Sequence, residues 1–133
     1  MPVSTDDFVS ITDFLGRYCW RVDQGDEEGW AALWAEDGVF AGVMPEPVVG
    51  REALKAIPRN AFASSKGTIR HHIGSLNCDY EPGSKDVAIA RYYNLVTNWV
   101  QGGAFTCLAA STVRLLRHGD SWLIARSDSV NLT

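Results

Sequence analysis

Apolar residues near the start of the chain recur at intervals of three and four. The stripe consists of Phe8, Ile11, Leu15, Tyr18, Cys19 and Val22. This spacing is typical of a helix that packs one face against a core. Ser4 and Asp7 have the spacing of a helix N-cap and its reciprocal partner. The pattern therefore predicts a helix over residues 5–24, with Asp23 in its last turn.

The next segment predicts short elements. The acidic residues 26–28 favour the N-terminus of a second helix, which would bury Trp34 and end at 36–38. A short strand around Val39 and Phe40 would follow. Residues 51–57 then predict a third short helix that stops before a proline at position 58.

From Thr68 onward the chain changes to long runs of β-forming residues separated by turn sequences. These runs predict four strands near 68–80, 87–100, 104–117 and 121–130. Their short connections suit antiparallel hairpins. We therefore expect one α+β domain over 1–133, in which N-terminal helices pack in the concave face of a strongly curved, mainly antiparallel sheet around a pocket.

The first long strand changes its apolar phase part-way along. Ile69, His71 and Ile73 alternate in one phase, whereas Leu76, Cys78 and Tyr80 follow the opposite phase. One inserted residue at Gly74 or Ser75 would bring all six onto the same face, so the pattern predicts a β-bulge there. His71 would then point into the pocket and His72 away from it, and the two could not bind one metal ion.

Composition narrows the class of ligand. The 133 residues are 46% hydrophobic and carry a formal net charge of −4, which argues against a nucleic-acid-binding surface. We find neither a signal-peptide pattern nor a membrane-spanning run, and we expect a cytoplasmic protein. Cys19, Cys78 and Cys107 lie far apart, so the spacing suggests neither a disulfide framework nor a zinc site. A small-molecule ligand is the remaining expectation.

Asp23 and His71 are the candidate chemical pair. A carboxylate at a helix C-terminus is electrostatically unfavourable, so another interaction should hold it. If it contacts His71 in an apolar pocket, it fixes the imidazole tautomer and leaves a general base. Such a base supports elimination, dehydration or isomerisation without a metal or organic cofactor. The alternative is a hydrogen-bonded core histidine and a solvated Asp23.

Several short sequence motifs, taken in their order along the chain, resemble the SnoaL-like family. They are Tyr18-x4-Asp23-x-Gly25-Asp26, Leu33 to Phe40, Gly50 to Leu54, Arg70-His71-His72-Ile73 and Gly119 to Arg126. The resemblance implies a cystatin-like, nuclear-transport-factor-like cone. Within the superfamily the chain resembles scytalone dehydratase and hexachlorocyclohexane dehydrochlorinase, which carry Asp and His at the positions of Asp23 and His71.

The resemblance implies a lyase or isomerase that acts on a small hydrophobic or cyclic substrate, with Asp23 and His71 as catalytic residues. The substrate-binding candidates are Tyr18, Tyr92, Asn94, Asn98, Ser111 and Arg126. Two tyrosines of scytalone dehydratase correspond here to Val22 and a residue near Ala41, so the substrate should differ. The alternative is a non-catalytic ligand-binding or assembly module. Apolar residues on the outer sheet face, such as Trp99, predict a homo-oligomer, dimer or trimer.

Overall fold

Four helices and six strands form the chain, and the computed structural model describes residues 1–133 apart from the side chain of Gln101. The helices are α1 (Thr5–Asp23), α2 (Glu27–Ala31), α3 (Arg51–Leu54) and α4 (Ala56–Ser65). The strands are β1 (Trp34–Ala41), β2 (Val48–Val49), β3 (Ile69–Tyr80), β4 (Val87–Asn98), β5 (Ala104–His118) and β6 (Ser121–Asn131), with a 3-10 turn at Trp99–Gln101. In the part of the chain so described, no helix is long and apolar enough to cross a membrane.

All six strands belong to one open sheet with the order β2-β1-β6-β5-β4-β3. The four long strands pair as an antiparallel meander, as predicted. β1 is added beside β6 in parallel, so the sheet is mixed. The α+β class and the mainly antiparallel sheet are confirmed.

Helix α1 covers the sheet through its apolar stripe. The buried residues of the helix include Ile11, Phe14, Leu15, Tyr18 and Val22. Phe8 was expected on this face but is 39% exposed. Tyr18 packs on Trp30 with a ring-centroid distance of 5.4 Å, and Trp30 in turn packs on Trp34 at 5.2 Å. This aromatic group joins α1, α2 and β1 into the core.

The predicted bulge in β3 is confirmed. Gly74 pairs with Tyr93 and Asn77 pairs with Arg91, so β3 advances three residues while β4 advances two. Ser75 has a φ angle of 55°, the left-handed conformation that a bulge residue can require. Because of this extra residue, side chains before and after the bulge share the concave face.

Two boundaries differ from the sequence prediction. Helix α2 ends at Ala31, and Trp34 begins β1 instead of closing the helix. The acidic residues Glu36 and Asp37 were expected to end the helix, but they lie exposed within an irregular part of β1. The pairing register with β6 shifts between Trp34 and Val39, and this shift accommodates two consecutive polar residues within a strand.

Helix α4 was not predicted, because Pro58 was taken as a stop. Pro58 is the third residue of α4. The N–H groups of a first helical turn have no acceptor within the helix, so a proline there removes no helical hydrogen bond. The helix continues to Ser65 and ends where Lys66 adopts a left-handed conformation.

Asp7 ties the start of α1 to the sheet. Arg117 donates to the two carboxylate oxygens of Asp7 at 3.1 and 2.9 Å, and the Tyr80 hydroxyl also donates to Asp7. The guanidinium of Arg117 lies 4.6 Å from the centre of the Trp122 ring. The hydrogen bond from Arg117 is the main cause that lowers the pKa of Asp7 below its ordinary value.

We expect Asp7→Asn to lower the free energy of unfolding at neutral pH by about 1–3 kcal/mol, because it weakens hydrogen bonds to a charged group. A lowered folded-state pKa stabilises the protein above the unfolded value near 3.8, and this stabilisation is lost as the pH falls. Urea titrations at neutral and acidic pH measure both effects. Asp6→Asn is the matched control, since exposed Asp6 lies in the same helical turn. Equal losses in the two variants would contradict the role of the Arg117 contact.

Candidate functional site

Asp23 is a buried carboxylate at an unfavourable place. It is the last residue of α1 and is only 8% exposed. The C-terminus of a helix carries partial negative charge, so the helix itself does not stabilise an anion there. The stabilising groups must come from another element.

His71 supplies those groups from β3. Its ring Nδ1 lies 2.6 Å from Asp23 Oδ1, and its backbone N–H donates to Asp23 Oδ2 at 3.2 Å. Each carboxylate oxygen therefore contacts a different part of the same residue. The predicted hydrogen-bonding contact between the two residues is confirmed. With Nδ1–H donating to the carboxylate, Nε2 is the ring atom left to accept a proton.

The strand places the two neighbouring histidines on opposite faces. His71 pairs with Val96 and faces the concave side, where it is half-buried. The exposed His72 places its Nε2 atom 3.0 Å from the Thr97 hydroxyl. The two rings therefore have different surroundings although they are adjacent in sequence.

Two cavities meet at His71. The inner cavity has a volume of about 410 Å³ and is bounded mostly by apolar side chains, including Tyr18, Val22 and Ile57. The outer cavity, of about 490 Å³, includes Asp23 and Cys19 in its lining. His71 lines both.

Helix α4 closes the site and was missed by the sequence analysis. It gives Ile57, Asn60 and Ala61 to the inner cavity, and Phe62 to the outer one. The Phe62 ring packs on Gly25, where a Cβ would approach to 2.8 Å, and Gly25 has a φ of +68°. A side chain at position 25 would displace this ring, so the Gly25 turn sets how closely α4 approaches α1.

The predicted substrate-binding residues lie in three different places. Tyr18, Asn94 and Ser111 line the inner cavity. Tyr92 lies deeper, buried in the core opposite Ser111 in the ladder. Ser111 is partly engaged, because its Oγ lies 2.8 Å from Oγ of Ser129.

Asn98 and Arg126 lie away from the cavity lining. The amide oxygen of Asn98 accepts hydrogen bonds from the Thr68 hydroxyl and the Val100 N–H, so this side chain caps the 3-10 turn. Arg126 is exposed and donates to both carboxylate oxygens of Asp128 at 2.8 and 2.9 Å. Both side chains hold local structure and are not available to a ligand in the inner cavity.

Thr106 is a lining residue that sequence reasoning missed. Val96 pairs with Cys107 and Thr97 with Phe105, which leaves Thr106 as an extra residue on β5. It lines the inner cavity together with Cys107. No change of apolar phase comparable to that in β3 reveals this second bulge.

Burial controls the protonation of two side chains near Asp23 and His71, namely Tyr18 and Cys19. It raises the pKa of Tyr18 well above its ordinary value, with nearby Tyr92 as a further cause. It also raises the pKa of the Cys19 thiol to about 12, with the charge of Asp23 as a second cause. At neutral pH Tyr18 is therefore a hydrogen-bond donor, and Cys19 is a thiol rather than a nucleophilic thiolate.

The sequence matches the family model of the SnoaL-like domain over residues 3–128. The chain belongs to the SnoaL-like family. The family includes polyketide cyclases and dehydratases, and the resemblance noted from the sequence is confirmed. No protein of curated function matches the sequence.

Solved structures share the fold. An NTF2-like protein with a cystatin-like fold from Novosphingobium aromaticivorans is 27% identical with a TM-score of 0.80, and the match covers 95% of this chain and 82% of that one. A Catenulispora acidiphila protein solved in complex with S-DNPA is 24% identical with a TM-score of 0.78, covering 93% and 92%. A protein provisionally named a scytalone dehydratase, from N. aromaticivorans, is 17% identical with a TM-score of 0.77, covering 95% and 84%.

The contact with Asp23 predicts a single neutral tautomer for His71. We expect long-range ¹H–¹⁵N spectra of the neutral ring to show a protonated Nδ1 and an unprotonated Nε2, because the carboxylate accepts from Nδ1. Asp23→Asn should shift the ring toward the other tautomer, since the amide can donate. A ring that stays on the Nε2–H tautomer in the unaltered protein would contradict the hydrogen-bond assignment.

Proposed function

We propose that this SnoaL-like protein is a cofactor-independent lyase or isomerase in which His71 is the general base and Asp23 orients it. The observation that carries the proposal is the 2.6 Å contact between Asp23 and Nδ1 of His71, a residue that lines the apolar inner cavity. Because a carboxylate only accepts hydrogen bonds, the contact supports a ring proton on Nδ1. Nε2 is then the atom that can take a proton from a substrate in the inner cavity.

The chemistry requires a carbon acid, such as a carbon next to a carbonyl. His71 Nε2 takes the proton, and the electron pair of the C–H bond moves toward the carbonyl oxygen to give an enolate. In a lyase, the enolate electrons then expel a leaving group from the β-carbon to form a double bond, and the imidazolium returns its proton to the departing group. In an isomerase, His71 returns the proton to a different carbon. Asp23 stabilises the imidazolium in both cases.

Tyr18 is the group that we assign to the developing oxyanion. It lines the inner cavity, and burial keeps its hydroxyl protonated at neutral pH. A donor that is fixed in a site of low dielectric stabilises an oxyanion more than water does. Tyr18 and Val22 lie one helical turn apart on the inner side of α1, so the same helix presents Tyr18 to the substrate and Asp23 to the histidine.

The relatives support a small organic ligand. One fold relative was solved with S-DNPA, and another carries a provisional dehydratase name. Both are less than 25% identical to this chain, so they support the class of ligand and not a particular substrate. The homo-oligomer stays a prediction, which rests on exposed apolar residues such as Trp99 (54%) and Val100 (66%).

Proton exchange tests the base without knowledge of the natural substrate. We expect the protein to accelerate deuterium incorporation next to the carbonyl of 2-tetralone in D₂O, followed by NMR. His71→Ala should reduce this acceleration by about 10²–10⁴-fold, because the base is removed. Asp23→Asn should reduce it by at least about 10²-fold through the wrong tautomer.

His72→Ala is the matched control, since His72 is the neighbouring histidine on the other face of β3. It should keep the exchange rate of the unaltered protein. If the unaltered protein binds cyclic ketones but does not accelerate exchange, the ligand-binding alternative becomes the better assignment. Full exchange activity in His71→Ala would remove His71 from the mechanism.

Tyr18→Phe separates oxyanion stabilisation from proton abstraction. We expect the exchange rate to fall by about 10²-fold while ketone affinity changes much less, because the hydroxyl acts mainly on the enolate. Circular dichroism serves as the check on folding, since Tyr18 packs against Trp30. An unchanged exchange rate would exclude Tyr18 as the oxyanion donor.

A further inference from the structure

Two apolar side chains at the rim of the inner cavity are exposed to solvent. Val43 and Met44 line this cavity, yet they are 57% and 44% exposed. Both belong to the loop between β1 and β2, whose residues 43–47 we call the hairpin tip. An apolar side chain that is in contact with water gains free energy when it is covered. The hairpin tip therefore offers apolar surface that a ligand in the cavity can cover.

The two ends of the hairpin tip are fixed to the sheet. On one side, the backbone of Gly42 packs so closely on β6 that a Cβ at this position would collide with the carbonyl oxygen of Ser129. Gly42 also has a φ angle of +97°, which residues other than glycine rarely adopt. On the other side, Val48 pairs with Phe40 of β1. The hairpin tip is thus a short segment between two firm attachments.

Between these attachments, little holds the hairpin tip in one position. Residues 43–47 are all exposed, and within the described part of the chain they take part in no backbone–backbone hydrogen bond. A segment with these properties changes its conformation at a low cost in free energy. Pro45 and Pro47 fix their own φ angles and restrict the residues before them to extended conformations. The hairpin tip should therefore move as a stiff unit.

We propose that the hairpin tip is a lid that closes over a ligand in the inner cavity, with Val43 and Met44 as the residues that cover it. Closure buries these two side chains against the ligand and excludes water, which strengthens the hydrogen bond that Tyr18 offers to an enolate. Because the tip adds only apolar side chains to the cavity lining, the ligand must turn an apolar edge toward it. The inference rests on the proposed function in taking the inner cavity as the ligand site.

The methionines provide a direct probe of closure, since Met1 and Met44 are the two methionines of the chain. When their methyl groups are labelled with ¹³C, a dissolved nitroxide should broaden both NMR signals of the free protein, because Met1 is 86% and Met44 is 44% exposed. We expect saturating 2-tetralone to remove most of the broadening of the Met44 signal. The Met1 signal is the internal control and should stay equally broadened.

Substitutions in the same hairpin test which side chains cover the ligand. Val43→Ser and Met44→Ser should each weaken the binding of 2-tetralone by about three- to tenfold, because the new side chain buries less apolar area on closure. Val49→Ser is the matched control. Val49 is 56% exposed in the same hairpin but does not line the inner cavity, so its replacement should leave the affinity unchanged.

A third variant distinguishes a closing lid from a static rim. A lid loses conformational freedom when it closes, whereas a static rim does not. Replacing both Pro45 and Pro47 by glycine gives the open tip more conformations, so the affinity should fall by about four- to thirtyfold. An unchanged affinity in this double variant would overturn the proposal. Equal losses in Val43→Ser and Val49→Ser would also overturn it, and so would a Met44 methyl that stays broadened up to the solubility limit of 2-tetralone.

The design separates this inference from the proposed catalysis. His71→Ala should lose proton exchange but retain the protection of Met44 by 2-tetralone, because the hairpin tip is intact. If the ketone protects Met44 in the unaltered protein and no proton exchange occurs, the catalytic proposal fails and the lid stands. If exchange is accelerated while Met44 stays accessible to the nitroxide, the lid fails and the catalytic proposal stands.

Discussion

A single carboxylate joins the end of the long helix to the start of the first long strand. Asp23 accepts from both the ring and the backbone N–H of His71, so it fixes the strand and the imidazole at once. Most buried ion pairs can be replaced by apolar residues with little loss of stability. This one lies at a helix C-terminus, where the helix dipole opposes it. Its position is therefore better explained by the histidine that it orients than by a contribution to stability.

The contact between Asp23 and His71 also determines which of the two residues a ligand can reach from each cavity. His71 lines two cavities, but only the outer one includes Asp23. A substrate in the inner cavity would meet the imidazole and not the carboxylate. This arrangement favours Asp23 as a positioning residue and His71 as the residue that touches the reacting atoms. The packing of Phe62 on Gly25 holds α4, which lines both cavities, against the end of α1.

The sequence predicted the parts of the fold whose apolar period is long and uninterrupted. The apolar stripe of α1 and the change of apolar phase in β3 placed Asp23 and His71 correctly. Each of these two patterns is formed by many apolar residues that share one face of the element. The prediction from sequence failed for short elements, because their formation depends on tertiary contacts. Trp34 joined β1 because β6 offers a parallel partner, and α4 formed beyond Pro58 because a first turn tolerates proline. Helix α4 contributes Ile57, Asn60, Ala61 and Ser64 to the inner cavity, so only part of the site could be predicted from the sequence.

The inner cavity also explains why the fold alone cannot name a substrate. Val22 is an apolar part of the wall of the inner cavity and offers no hydrogen bond to a ligand. Polar contacts to a ligand must then come from other lining residues, such as Tyr18, Asn94 and Ser111. Which of these side chains contacts a ligand depends on where the ligand carries its own polar groups, and relatives that share the fold can place different side chains at the same positions. The shared fold therefore does not define the substrate.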